Sequence, residues 1–264
     1  MAVLKNKNSQ VHIGDCMKLF KKIEDESIDI VVTSPPYNLG IKYKSYKDRK
    51  SNSEYLNWMK EVSTEVKRIL KPDGSYFLNV GSTSSNPWLA YDIAFSCREI
   101  FILQNHIIWN KSISVDDESY GHFKPINSKR YLNHLYEDIF HFTKEGKKSI
   151  DRISIGVPYK DESNIARWSH GKDKRCRGDS WYLPYETIQS REKERGNHPA
   201  TFPINLPLYC IKMHGFSEDT VVLDPFLGTG TTLVAAKKLG IKSIGFELDE
   251  SYAKDAWARI KSTI

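Results

Sequence analysis

The chain has 264 residues, 39% hydrophobic and 12% aromatic, with a formal net charge of +6. This is enough apolar material for one large domain or two small ones, and it lies outside the composition of disordered chains. Mean hydropathy is −0.52, apolar runs fall short of the about 20 residues a membrane helix needs, and no signal-like segment opens the chain, so a cytoplasmic protein without a membrane partner is expected.

The pattern along the chain alternates strands and helices. Val11–Gly14 reads as a short strand and Met17–Ile23 as a helix. Ile28–Thr33 (IDIVVT) has the β-branched content of a buried strand. Tyr55, Met59, Val62, Val66 and Ile69 recur at helical spacing, which predicts a helix capped by Ser53, running to about Leu70 and stopped by Pro72-Asp73-Gly74. Ser75–Val80 is the next strand, Pro87–Cys97 a helix, and Phe101–Trp109 and Tyr136–Phe142 two further strands. From Thr143 to about Gly196 periodicity fails and the sequence is polar, basic and aromatic. Beyond it, Ile204–His214 reads as a helix and Thr220–Leu223 as a strand. A Gly-rich turn follows, then a helix at Thr231–Leu239, a strand at Lys242–Phe246 and a last helix at Glu250–Ile260. Such alternation predicts an open, mostly parallel α/β sheet with helices on both faces and ligands at its carboxyl edge.

The charge is uneven. Residues 41–50 and 167–177 carry +4 each, so the rest of the chain carries −2. Both segments interleave cations with aromatics: Lys42, Lys44, Lys47, Arg49 and Lys50 with Tyr43 and Tyr46, and Arg167, Lys172, Lys174, Arg175 and Arg177 with Trp168. Cations among stacking rings suit a nucleic acid, phosphates contributing affinity and bases contributing specificity. The four cysteines, Cys16, Cys97, Cys176 and Cys210, are far apart and form no C-x-x-C pair, so neither a zinc site nor a disulfide framework is expected.

Two local signals carry chemistry. In Asp224-Pro225-Phe226-Leu227-Gly228-Thr229-Gly230-Thr231-Thr232 a strand ends, a tight turn carries two glycines, and a helix begins. Glycines there admit a ligand close to the backbone, and the helix start offers free N–H groups. The dinucleotide fingerprint is broken because Leu233 stands where its third glycine belongs. Glu247, ending the next strand, is placed to accept hydrogen bonds from ribose hydroxyls. The second signal is Ser34-Pro35-Pro36-Tyr37 after the strand IDIVVT. Its prolines stiffen the turn and remove two donors, which leaves carbonyls, a hydroxyl and an aromatic ring at the sheet edge.

With these motifs in place, the sequence resembles the β group of S-adenosylmethionine-dependent DNA amino-methyltransferases of restriction–modification systems. Ser34-Pro35-Pro36-Tyr37 fits the catalytic [DNS]-P-P-[YF] motif, and Asp224–Thr232 fits the cofactor motif D-P-F-x-G-x-G-T-T. The segment His198-Pro199-Ala200-Thr201-Phe202-Pro203 resembles the one that closes over the methionine side of the cofactor, and Gly14-Asp15-Cys16 resembles an opening motif whose Asp lies near the adenine. The catalytic motif precedes the cofactor motif, the permuted order of the β group.

The resemblance implies a Rossmann-like methyltransferase fold, with a mixed seven-stranded sheet containing one antiparallel strand. The chain would be a single permuted catalytic domain over residues 1–264, with a small target-recognition insertion at about 143–197. It implies S-adenosyl-L-methionine as cofactor, held by Asp15, His198, Pro199, Phe202, Asp224, Pro225, Phe226, Gly228, Gly230, Thr231, Thr232 and Glu247, with Asp224 acting only indirectly if it does not touch the cofactor. The partner is duplex DNA, gripped by the basic residues named above, with Trp181 and Tyr185 assisting recognition. A companion restriction endonuclease is expected on a separate chain, and the enzyme as a monomer or homodimer. The catalytic step needs no metal. Ser34 at the first catalytic position favours the exocyclic N4 of cytosine. Adenine-N6 methylation is the alternative, and a catalytically inactive nucleic-acid-binding homologue is the second.

Overall fold

A computed structural model describes residues 2–38, 49–123, 125–168, 173–184 and 201–263. The strands are β1 (Val3–Lys5), β2 (Ser9–Ile13), β3 (Ile28–Thr33), β4 (Leu70–Val80), β5 (Ile102–Asn110), β6 (Ser112–Val115), β7 (Glu118–Gly121), β8 (Tyr136–Thr143), β9 (Val157–Pro158), β10 (Lys174–Arg175), β11 (Ser180–Tyr182), β12 (Val221–Asp224) and β13 (Lys242–Glu247). The helices are α1 (Cys16–Phe20), α2 (Asn52–Ile69), α3 (Leu89–Cys97), α4 (Ser163–Trp168), α5 (Asn205–His214), α6 (Thr231–Lys238) and α7 (Glu250–Ser262).

The main sheet has nine strands in the order β1-β2-β13-β12-β3-β4-β8-β5-β11. Within it lie the seven strands expected, from β2 to β5, with β8 antiparallel to both neighbours. The count grows by two three-residue edge strands: β1, antiparallel to β2, and β11, parallel to β5. The sheet therefore has two antiparallel strands rather than one. Two small ribbons, β6–β7 and β9–β10, stand apart from it.

Alternation along the central strands divides the core. Val31, Tyr76, Leu78 and Phe140 face a cluster containing Tyr55, Met59, Val62 and Val66 of α2 and Ile93 of α3. Ile30, Val32, Phe77 and Ile139 face Leu206, Cys210 and Ile211 of α5 and Ala235 and Ala236 of α6. A period of two on the strands and of about 3.6 on the helices gives each element one buried side. The apolar stripe predicted for α2 is the buried one, but the cap is Ser51, not Ser53. Ser51 and Glu54 form a reciprocal capping box, in which two otherwise orphaned donors are satisfied. The helix ends at Ile69, close to the expected Leu70, but strand pairing rather than Pro72 ends it: Leu70 already pairs with Ile28, and Pro72–Gly74 sit where the β3–β4 register slips before Ile30 meets Ser75.

The parallel strands β2, β3, β4, β12 and β13 all end at one edge of the sheet. Gly14-Asp15, Ser34, the segment after Val80, Pro225 and Leu248 follow them there. Among the described residues no helix is long and apolar enough to cross a membrane.

Candidate active site

At this edge lies a cavity of about 380 Å³. One of its ends is lined by Asp15, Gly228, Glu247 and Asp249, the other by Ser34, Tyr37, Asn79 and Trp109. The two motifs, almost two hundred residues apart in sequence, share this single space because β3 and β12 are sheet neighbours.

The glycine-turn end is built largely of backbone. Gly228 and Gly230 have φ of 51° and 80°, the left-handed region that glycine enters without a Cβ penalty. A Cβ at Gly230 would stand 3.1 Å from that of Ala256. Asp224 is buried and fully engaged: Oδ1 accepts from Thr33 Oγ1 at 2.6 Å and from the Phe226 amide at 3.0 Å, and Oδ2 from Thr232 Oγ1 at 2.7 Å. Burial pushes its carboxyl up to about 6. Asp224 thus ties β12 to β3 and shapes the turn. Glu247 accepts from the Gly228 amide at 2.9 Å through Oε2 and from the Asp249 amide at 2.9 Å through Oε1. Burial pushes it up to about 7 against those two bonds. Each oxygen retains a lone pair for a further donor. Thr231 is held by Arg259 Nη1 at 2.9 Å, and the Phe226 ring packs at 5.4 Å from Trp58.

The Pro-Pro end is built of side chains. Tyr55 Oη, on α2, donates to the Pro36 carbonyl at 2.8 Å and holds the turn against the helix. Tyr37 Oη lies 2.7 Å from Ser34 Oγ and donates to Glu137 Oε2 at 2.8 Å. Asn79 Nδ2 donates to the same Glu137 oxygen at 2.6 Å and to Tyr37 Oη at 2.8 Å. Glu137 Oε1 pairs with Lys111 Nζ at 2.6 Å. Burial first, and the Glu137 charge second, raise the Tyr37 phenol well above its ordinary range, so it stays a neutral donor. Gly81 lets the network close: a Cβ there would be 3.0 Å from Tyr37 Cε2 and 3.1 Å from Glu137 Cγ. After Tyr37, Asn38 takes a positive φ of 57° and clamps Lys50 from both sides, Nδ2 donating to its carbonyl at 2.9 Å and Oδ1 accepting from its amide at 2.7 Å.

The profile of the N6/N4 DNA methylase family matches residues 28–258. The chain belongs to this family of DNA methylases. It is 31% identical to the type II methyltransferase M.BglII of Bacillus subtilis, over 94% of this chain and 68% of the relative. It is 29% identical to the DNA adenine methyltransferase YhdJ of Escherichia coli K12, over 94% of this chain and 81% of the relative. Among solved structures, the PvuII cytosine-N4-specific DNA methyltransferase superposes with a TM-score of 0.70 over 98% of this chain and 95% of its own, at 21% identity, a likeness of fold. A DNA modification methylase of Thermus thermophilus, solved in complex with S-adenosyl-L-methionine, gives 0.64 over 96% of this chain and 95% of its own at 27% identity.

In this methylase the cavity gathers Ser34, Pro35, Pro36, Tyr37, Asp15, Phe202, Pro225, Phe226, Gly228, Thr231 and Glu247 of the residues singled out from sequence. Asp224, Gly230 and Thr232 stand behind the wall as supports. His198 and Pro199 lie outside the described residues, as do Lys42, Lys44, Lys47, Lys172, Tyr43, Tyr46, Tyr185 and the Trp168 side chain. Lys50 reaches the cavity rim, and Arg49, Arg167, Lys174 and Arg175 are exposed. Arg177 is half-buried, donating to the Ile155 carbonyl at 2.9 Å and stacking 4.7 Å over Tyr209. The recognition role expected for Trp181 is overturned. It is fully buried, because β11 joins the main sheet beside β5 and carries the indole into the core. Sequence reasoning missed Asn79, Glu137, Lys111 and Trp109. Their only local signal was a polar Asn inside the apolar run of β4 and an acid opening β8.

Proposed function

We propose that this methylase is a site-specific enzyme that methylates the exocyclic N4 of a cytosine flipped out of duplex DNA, with S-adenosyl-L-methionine as cofactor. The observation that carries this reading is the single cavity joining Glu247 and the glycine turn to Ser34 and Tyr37. The donor set fits the cofactor. Glu247 keeps acceptor capacity for ribose hydroxyls, Asp15 and Phe246 flank the place for an adenine, and Gly228 opens the turn to close approach. When bound, the cofactor supplies a methyl group activated by its sulfonium charge.

A base inside a duplex cannot reach this edge, so the target must leave the stack at a cost of a few kcal/mol. The Tyr37 ring then stacks on the base, and Ser34 Oγ and the Pro35 carbonyl accept its amino hydrogens. These contacts aim the nitrogen lone pair, and the apolar wall of Phe202 and Trp109 keeps water away. Positioning and desolvation supply the rate. The exposed cations Arg49, Lys50, Arg167, Lys174 and Arg175, with the lysines of 42–47, grip phosphates. The enzyme works in the cytoplasm beside a restriction endonuclease on a separate chain.

Ser34 in place of the Asp usual in adenine enzymes favours cytosine. The similarity to YhdJ, named for adenine, favours adenine-N6 as the second reading. Enzymatic digestion of DNA methylated by the protein, followed by mass spectrometry of its nucleosides, decides between them. N4-methylcytosine is expected; N6-methyladenine alone overturns the first reading, and no methylated base at all overturns both.

A further inference from the structure

Asn79 is 2% exposed and lines the catalytic end of the cavity. Its Nδ2 is committed to Glu137 Oε2 at 2.6 Å and Tyr37 Oη at 2.8 Å. A carboxylate only accepts, so Glu137 fixes which end of the amide turns toward it. Lys111, at 2.6 Å on the other carboxylate oxygen, holds Glu137 in place. The opposite end of the amide, Asn79 Oδ1, is buried and has no hydrogen-bond partner among the described residues. An amide oxygen removed from water without a donor costs roughly 1–3 kcal/mol, and here it belongs to a residue lining the cavity.

We propose that Asn79 is a further substrate-binding residue whose Oδ1 accepts one hydrogen of the target amino group, with Glu137 and Lys111 as positioning residues that lock its amide. The inference rests on the methyltransferase reading above and refines it. Ser34 Oγ is 2.7 Å from Tyr37 Oη, whose one hydrogen goes to Glu137, so Ser34 donates there and keeps its lone pairs for a further donor. Asn79 Oδ1 accepts from none of the described groups. The amino group is the donor that a neutral cytosine or adenine offers on its pairing edge. Asn79 therefore takes one amino hydrogen and leaves the other to the Ser34–Pro35 turn. With Asn79 on one hydrogen and the Ser34–Pro35 turn on the other, the amino group is held from both sides and its lone pair points one way; the orphaned oxygen gains its partner when the base arrives, so the site selects for an exocyclic amine over a ring carbonyl. A carbonyl there would leave two acceptors facing each other.

The test uses the full chain, tritiated S-adenosyl-L-methionine and PCR-amplified DNA free of natural methylation. Asn79→Ala, Glu137→Gln and the double variant are compared with wild type in kcat, in KM for DNA, in cofactor affinity by calorimetry and in melting temperature. Asn79→Ala should lose about 10- to 100-fold in kcat with cofactor affinity held within about twofold. Glu137→Gln should lose less, and the loss in the double variant should fall short of the product of the two single losses, because Glu137 acts through Asn79 as well as through Tyr37. A kcat within about twofold of wild type for Asn79→Ala overturns the proposal, as do fully multiplicative losses in the double variant. If Asn79→Ala does not fold, Glu137→Gln in a Tyr37→Phe background, where the Tyr37–Glu137 bond is already gone, decides: a further kcat loss at unchanged cofactor affinity and melting temperature supports the proposal, and any other pattern overturns it. A wild-type protein that labels no DNA overturns the underlying methyltransferase reading instead.

Discussion

The two ends of the cavity are built on opposite plans. At the glycine turn, the wall is largely backbone, held in shape by side chains such as Asp224 and Thr232, with Glu247 bonded to that same backbone as the main side-chain acceptor. At the Pro-Pro turn, the backbone is stiffened by two prolines and the Tyr55 bond, while the working groups are side chains in one network through Tyr37, Asn79, Glu137 and Lys111. A backbone cradle resists substitution and suits an invariant ligand. A side-chain network can be retuned one residue at a time and suits a variable one. Damage at the first end should therefore show as affinity or stability, and damage at the second as rate.

Tyr37→Ala should show the largest effect: methyl transfer falls by at least about a hundredfold, since misplacement of a reacting base alone can cost that much, while calorimetry shows cofactor affinity little changed. Equal loss of both would erase the distinction between the ends. Glu247→Ala should do the reverse, weakening the cofactor by about 10- to 100-fold through the lost charge-assisted bonds, with kcat at saturation nearly unchanged. Gly230→Ala should lower stability by roughly 1–3 kcal/mol in denaturant titration, from forced positive φ and crowding against Ala256.

A pH series sharpens the comparison further. Glu247 sits at about 7 because burial disfavours its charge. Ribose hydroxyls favour the ionised form, so cofactor affinity should rise with pH through about 7 and fall below it, by at most about tenfold per pH unit. Titrations in buffers of differing ionisation heat should register proton release on binding near pH 7. The smallest effects per residue belong outside the cavity. Each neutralised lysine among 42–50 should flatten the log–log salt slope of DNA binding by about 0.9, leaving cofactor affinity alone.

The same contrast explains what the sequence made legible. Asp224–Thr232 and Ser34–Tyr37 are contiguous, so their chemistry is written locally, and β3, α2 and the β12–α6–β13 unit announce themselves by periodicity. The catalytic network is assembled across the sheet: Tyr37 meets Asn79 and Glu137, which lie 42 and 100 residues away. No local pattern encodes such a meeting. It follows from β4 lying beside both β3 and β8. Trp181 failed for the same reason. In a polar, aperiodic stretch it reads as an exposed ring, and only the pairing of Ser180–Tyr182 with Ile108–Asn110 buries it. Ser51 was missed as a cap because the apolar stripe marks the buried face of α2 and not its first residue.

The Asn38–Lys50 clamp has an evolutionary consequence. Its two reciprocal bonds fix both ends of the intervening segment to each other just behind Tyr37 and just ahead of Ser51. Closing a longer loop costs only about 0.6 kcal/mol per doubling of length. The lysine-bearing segment can therefore be lengthened, shortened or exchanged as a cassette, and the clamp absorbs the change before it reaches the catalytic turn or the start of α2.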